Sequence, residues 1–201
     1  LYGGEDFIKN FTVENDFTYG IGPGLGIDYE TEEKLMHFLK NYNEPLVLDA
    51  DALNLISKNP ENLNLIPKKS IITPHPKEFS RLFGESKDSF ERLELAKSKA
   101  KELNIYIVLK GHHTQIITPE GNVFYNITGN SGLAKGGSGD VLLGIITSFL
   151  AQGYSPENAA IFGVWLHGKA ADFTAEKYSK EAMLASDVIQ HIGEVFKYLQ
   201  K

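Results

Sequence analysis

Short β-branched runs alternate with helix-patterned stretches along most of this chain, and that alternation constrains the fold more than any other feature. Pro45–Leu48, Ser70–Thr73 and Ile105–Leu109 read as buried strands, and the last is apolar on both faces, as a sheet covered on both sides requires. Phe17–Ile21 is a further short strand candidate. Between these runs, Thr31–Asn41 has helical spacing at Leu35, Phe38 and Leu39. Ala52–Ser57 reads as a short helix that Asp51 can cap. Pro76–Phe83 opens on a proline and stops at Gly84, and Asp88–Leu103 is amphipathic. Strand–helix repetition of this kind requires crossovers of one hand and a mostly parallel sheet. Gln115–Thr118 and Val123–Asn126 flank the turn Pro119-Glu-Gly-Asn122, which predicts a hairpin and an antiparallel edge. Helices over Val141–Gln152, Pro156–Lys177 and Ala185–Leu199 complete the pattern. The expected architecture is an α/β sheet flanked by helices on both faces. With no repeat or linker in residues 1–201, it reads as a single domain.

In open parallel sheets, ligands sit at the carboxyl ends of the strands. Gly22-Pro-Gly-Leu-Gly26, Asp49, Thr73-Pro-His75 and Lys110-Gly111 all follow a strand directly. The glycine run is either a tight turn or a backbone surface pressed against a ligand. Asp49 is a candidate contact for substrate or Mg²⁺. His75 lies between two prolines, which hold it rigidly as a ligand-orienting group would be held. Lys110 and Thr114 can meet phosphate oxygens, helped by backbone amides, whereas His112 and His113 read as incidental. His167 sits on a helix apolar nearly all round and reads as a satisfied core histidine.

The segment Gly129-Asn-Ser-Gly-Leu-Ala-Lys-Gly-Gly-Ser-Gly-Asp140 carries the most chemistry. Its glycines permit close backbone approach, and the helix that follows offers free N–H groups and a dipole that favour an anion. Asp140 would repel phosphate as a binder. It suits a base that takes a proton from a hydroxyl attacking that phosphate, although a plain helix cap is the alternative. The segment therefore points to phosphoryl transfer to an alcohol.

Composition removes other classes. Net charge is −6, and Arg81 and Arg92 are the only arginines, so no basic nucleic-acid surface is present. Without cysteine there is no thiolate catalysis and no disulfide. No apolar run reaches membrane-spanning length, so no membrane association is expected and a cytoplasmic location is the default. No histidine or carboxylate spacing supplies a metal site.

Together, Gly22-Pro-Gly-Leu-Gly26, Leu48-Asp-Ala-Asp-Ala-Leu53, Thr73-Pro-His-Pro-Lys-Glu78, Val108-Leu-Lys-Gly111 and the glycine segment ending at Asp140 resemble the ADP/ATP-dependent NAD(P)H-hydrate dehydratases. Trp165-Leu-His-Gly-Lys-Ala-Ala171 and Ala185-Ser-Asp187 resemble that family too. The resemblance implies a ribokinase-like fold. It implies repair of hydrated NADH or NADPH, in which ADP or ATP, with Mg²⁺, phosphorylates the hydrate hydroxyl before phosphate leaves. It assigns Asp140 as the base and places Lys110, Gly111, His112, His113, Thr114, Gly137, Ser138 and Gly139 at the nucleotide. Gly24, Gly26, Asp49, His75 and Asn130 fall to the hydrated dinucleotide. A homo-oligomer is expected. Family members have a longer N-terminal region, so the chain beginning Leu1-Tyr-Gly-Gly-Glu5 is expected to be the C-terminal part of a longer protein. Another ribokinase-like vitamin or sugar kinase, or a non-catalytic nucleotide-binding domain, are the alternatives.

Overall fold

A computed structural model of the chain describes residues 13–14 and 16–200; the opening Leu1-Tyr-Gly-Gly-Glu5 lies outside them. Six strands form one sheet in sequential order: β1 (Gly20–Ile21), β2 (Val47–Leu48), β3 (Ile71–Ile72), β4 (Tyr106–Leu109), β5 (Gln115–Ile117) and β6 (Val123–Tyr125). β1 to β4 run parallel, and β4–β5–β6 are antiparallel, so the hairpin forms the expected edge. The parallel strands are shorter than the apolar runs suggest. Pairing nevertheless extends past their ends, because Val47 N–H donates to Tyr19 O at 2.9 Å and Thr73 N–H to Leu48 O at 3.0 Å.

Sequential strand order with crossovers of one hand places every crossover helix on the same face. These helices are α1 (Tyr29–Asn41), α2 (Ala50–Ile56), α3 (Pro76–Phe83) and α4 (Ser89–Leu103). Leu48, Ile72 and Ile107 point into their core, among Leu35, Phe38, Phe79 and Ala96. The alternate residues Val47, Ile71, Tyr106 and Val108 point the other way. There they meet Leu142, Ile146, Val164, Leu166 and Val188 of the last three helices, α5 (Ser138–Ala151), α6 (Pro156–Tyr178) and α7 (Ala185–Leu199). The apolar character of both strand faces thus follows from helices arriving on opposite sides at different points in the chain.

Three local features differ from the sequence reading. First, α2 begins at Ala50, with Asp49 as a cap residue whose side chain makes no capping bond. Asp51 is therefore not the cap. It lies in the first turn, and its Oδ2 accepts from Gly26 N–H at 3.0 Å, tying down the glycine loop. Second, α5 begins at Ser138 instead of Val141, so Ser-Gly-Asp140 forms its first turn. Third, a 3₁₀ helix over Pro60–Leu65 escaped the pattern, although Asn59-Pro60 is a start signal and Asn59 does cap it.

Gly22 holds the ends of β1 and β2 together. Its φ is 149°, and a Cβ there would fall 1.8 Å from the Asp49 carbonyl oxygen. Gly22→Ala is expected to lower stability by about 2 kcal/mol or more, measured by urea unfolding, because the backbone cannot part without breaking the β1–β2 ladder. A loss under about 0.5 kcal/mol would contradict that constraint.

Candidate active site

At the carboxyl ends of β2 and β4, Asp49 and Lys110 form an ion pair. Lys110 Nζ lies 2.7 and 3.0 Å from the two Asp49 oxygens. The Asp49 side chain is 2% exposed and that of Lys110 22%. Removing a carboxylate from water is costly unless a cation replaces the lost solvation, and Lys110 supplies it. Glu78 Oε2 lies 3.9 Å from the same ammonium, so the negative side of the cluster extends to α3.

Glu78 also holds His75. Glu78 Oε2 accepts from His75 N–H at 2.8 Å, and His75 Nδ1 accepts from the N–H groups of Lys77 and Glu78 at 3.1 and 3.2 Å. This reciprocal cap starts α3. Because Nδ1 is an acceptor, the imidazole proton sits on Nε2, 3.2 Å from Glu78 Oε1. The ring remains 44% exposed, fixed in orientation yet reachable by a ligand.

The glycine segment is pinned from behind by α6. Gly129 N–H donates to Asp172 Oδ2 at 3.0 Å. Asn130 Nδ2 donates to Ala171 O and Asp172 Oδ1, both at 3.1 Å, while its Oδ1 accepts from Gly132 N–H at 2.9 Å. The segment then enters α5 through Gly137, whose φ of 87° suits glycine and which offers no side-chain cap. Among the described residues, the N–H groups of Gly139 and Asp140 find no acceptor, and the exposed Asp140 carboxylate has no hydrogen-bond or ion-pair partner. A Cβ on Gly139 would lie 3.2 Å from Asp49 Oδ2 and 3.5 Å from Lys110 Nζ, so the helix start rests on the ion pair. Unsatisfied amides, the helix dipole and a nearby ammonium favour an anion at this point, with a free carboxylate beside it.

The fold thus brings Asp49, His75, Lys110, Gly139 and Asp140 to one sheet edge. It gives several of them work other than ligand contact. Asp49 is buried, and each of its carboxylate oxygens already accepts from Lys110, so its first role in the fold is this ion pair. Lys110 gives two contacts of its ammonium to Asp49 and stays partly exposed. Both amide donors of Asn130 are used within the protein, so it shapes the loop. Gly111, His112 and His113 are exposed; the two imidazole Nδ1 atoms lie 3.1 Å apart, and Thr114 Oγ1 donates to Gly111 O at 3.4 Å. Gly24 is exposed, and a Cβ on it would meet nothing within 4 Å. Among the described residues, no group of three or more His, Asp or Glu side chains could hold a metal ion.

His167 is buried but not satisfied, contrary to the sequence reading: its Nε2 has no partner. Burial first, and the charge of Lys110 second, push it from 6.5 down to about 4. Asp172 escaped the sequence reading altogether. Its signal was an acidic side chain in the apolar run Ala170-Ala-Asp172.

Residues 18–194 match the family model described as NAD(P)H-hydrate dehydratase. The chain belongs to that family. It is 41% identical over 174 residues to the ADP-dependent (S)-NAD(P)H-hydrate dehydratase of Neisseria meningitidis, covering 84% of this chain and 59% of that protein. The Bacillus subtilis ADP/ATP-dependent NAD(P)H-hydrate dehydratase, co-crystallised with ATP/Mg²⁺ and soaked with CoA, superposes with a TM-score of 0.76. The two are 36% identical, and the match covers 89% of this chain and 64% of that one. A ribokinase-like superfamily protein of Enterococcus faecalis gives a TM-score of 0.77 at 34% identity, covering 91% and 63%. The fold is therefore ribokinase-like. The chain spans between 30% and 63% of the length of such curated relatives. Among the described residues no helix is long and apolar enough to cross a membrane.

Two predictions follow from the charges at this dehydratase-family site. Lys110→Met strands a buried carboxylate and should cost about 3 kcal/mol, whereas Asp49→Asn combined with Lys110→Met should recover most of that loss. Equal losses in the single and double variants, by urea unfolding, would contradict the pairing. His167 gives a pH signature. Because its folded value is depressed, the unfolded chain binds a proton that the folded chain refuses. Its contribution is complete above pH 6.5 and is lost as pH falls toward about 4. That loss is about 3 kcal/mol, and His167→Phe should flatten it. An unchanged acid slope in the variant would contradict this assignment.

Proposed function

We propose that the chain repairs hydrated NADH or NADPH, using ADP or ATP to phosphorylate the hydrate hydroxyl and then eliminating phosphate. The observation that carries this reading is the unpartnered Asp140 carboxylate in the first turn of a helix whose leading amides lack acceptors. A carboxylate without a structural partner, beside a built anion cradle, suits proton removal from a hydroxyl that attacks phosphorus.

The terminal phosphoryl group is held by the N–H groups of Gly139 and Asp140, with the positive end of α5 behind them. Asp140 accepts the hydroxyl proton as the oxygen–phosphorus bond forms. The bond to the bridging oxygen breaks, leaving AMP from ADP or ADP from ATP. Inorganic phosphate then departs with the carbon–oxygen bond, a proton is lost from the neighbouring carbon, and the dihydronicotinamide ring is restored. Mg²⁺ arrives with the nucleotide phosphates. His75, held as the neutral Nε2–H tautomer, orients the hydrated dinucleotide. Gly24 lies on an open, exposed backbone surface for the same ligand, and Gly26 keeps that loop in place through Asp51. The exposed Gly111–Thr114 turn borders the nucleotide.

Asp140→Asn keeps the shape of the first turn and removes the base. It should lower turnover of hydrated NADPH roughly 10² to 10⁴-fold, while nucleotide affinity measured by calorimetry stays within a few-fold. Near-normal turnover in that variant would refute Asp140 as the base.

A further inference from the structure

Lys135 lies in the glycine segment, three residues before Ser138, which opens α5. Its ammonium makes no ion pair with a carboxylate among the described residues. It donates instead to the carbonyl oxygens of Lys180, Glu181 and Met183, at 3.3, 2.5 and 2.8 Å. These carbonyls belong to the connection from α6 to α7. All three ammonium donors are thus spent on neutral oxygens that converge on one point. Two neighbouring contacts join the same segments. A Cβ on Gly132 would fall 2.2 Å from Met183 Sδ, and one on Gly137 would lie 3.3 Å from Ala185 Cβ.

We propose that Lys135 is a tethered cation that positions the phosphate cradle, its ammonium filling a site made of three backbone carbonyls. The idea rests on the reading of Asp140 and the α5 amides given above. Converging carbonyls repel one another unless a cation sits between them, and such oxygens can replace the hydration shell of a monovalent ion. Lys135 supplies that charge from within the chain. It fixes the 180–183 connection against the loop and so sets the direction of the first turn of α5, which carries Asp140. Lys135 is a positioning residue: it acts through the loop and does not touch the reacting atoms.

Lys135→Ala empties the site without filling it. In buffer that contains Mg²⁺ but tetramethylammonium as its only monovalent cation, kcat for hydrated NADPH should fall roughly tenfold or more, with a smaller change in KM. Ammonium or potassium at about 0.1 M, with ionic strength held constant, should restore most of the loss, because these ions fit three carbonyls and tetramethylammonium does not. The unsubstituted chain should be indifferent to that exchange of salts. Hydrogen exchange gives a readout that needs no activity. Amides of 131–140 and 180–185 should exchange faster in Lys135→Ala, and ammonium should slow them again; Lys135→Gln serves if the alanine variant fails to fold. Turnover within twofold of the unsubstituted chain, a loss that neither ion reverses, or unaltered exchange at both segments would each overturn the proposal. If the unsubstituted chain does not turn over the hydrate at all, the functional reading falls, and the exchange experiment still decides the role of Lys135.

Discussion

A buried carboxylate at the end of β2, bound to an ammonium at the end of β4, is the contact on which the rest of this site depends. It spans β3, which lies between those strands, and so holds three strand ends at one level. The Asp49 peptide receives Gly22 against its carbonyl, and the Asp49–Lys110 side chains form the floor beneath Gly139. Charge balance explains why both residues are needed. Either charge alone would be stranded in a poorly solvated place, and a buried ion pair losing one partner is far less stable than one losing both. The pair therefore organises the sheet edge first, and only through that edge does it serve chemistry.

Above this floor the electrostatics are built mostly from backbone. Asp49 neutralises Lys110, so the anion-attracting field comes chiefly from the start of α5 and its unsatisfied amides. A cradle of amides has an advantage for transferring a phosphoryl group: the donors are fixed in place and need no reorganisation as charge moves. That advantage requires a loop that does not shift. Asp172 holds the start of the loop to α6, and Lys135 holds its middle to the α6–α7 connection. The side of the sheet that carries α5 to α7 thus supplies both the cradle and its scaffolding, while the side with α1 to α4 supplies His75 through the cap of α3.

Much of this was legible in the sequence because it depended on local pattern. The β-branched run at Ile105–Leu109 and the turn at Pro119–Asn122 determine strand and hairpin through neighbours close in the chain. Pro76 and Gly84 likewise punctuate α3 as read. What stayed illegible depended on distant partners. Asp51 carries a fair cap signal, yet the peptide of Gly26 claims its side chain. Lys110 and Asp49 each read as ligand contacts, because nothing in local sequence reveals that a residue 61 positions away lies within hydrogen-bond reach. Distant partners decide Asn130 and His167 too. The amide group of Asn130 is satisfied within the fold, whereas His167 lacks the partner that its buried position predicted.

The central claim is that this sheet edge transfers a phosphoryl group to the hydroxyl of a hydrated nicotinamide ring. The most direct measurement incubates the purified chain with hydrated NADPH and either ADP or ATP, following absorbance of the restored dihydronicotinamide alongside release of inorganic phosphate. The account predicts nucleotide-dependent recovery of NADPH, with one phosphate released and one AMP or ADP formed for each NADPH restored. Recovery of NADPH without nucleotide consumption, or nucleotide binding with no phosphate released in the presence of the hydrate, would contradict it.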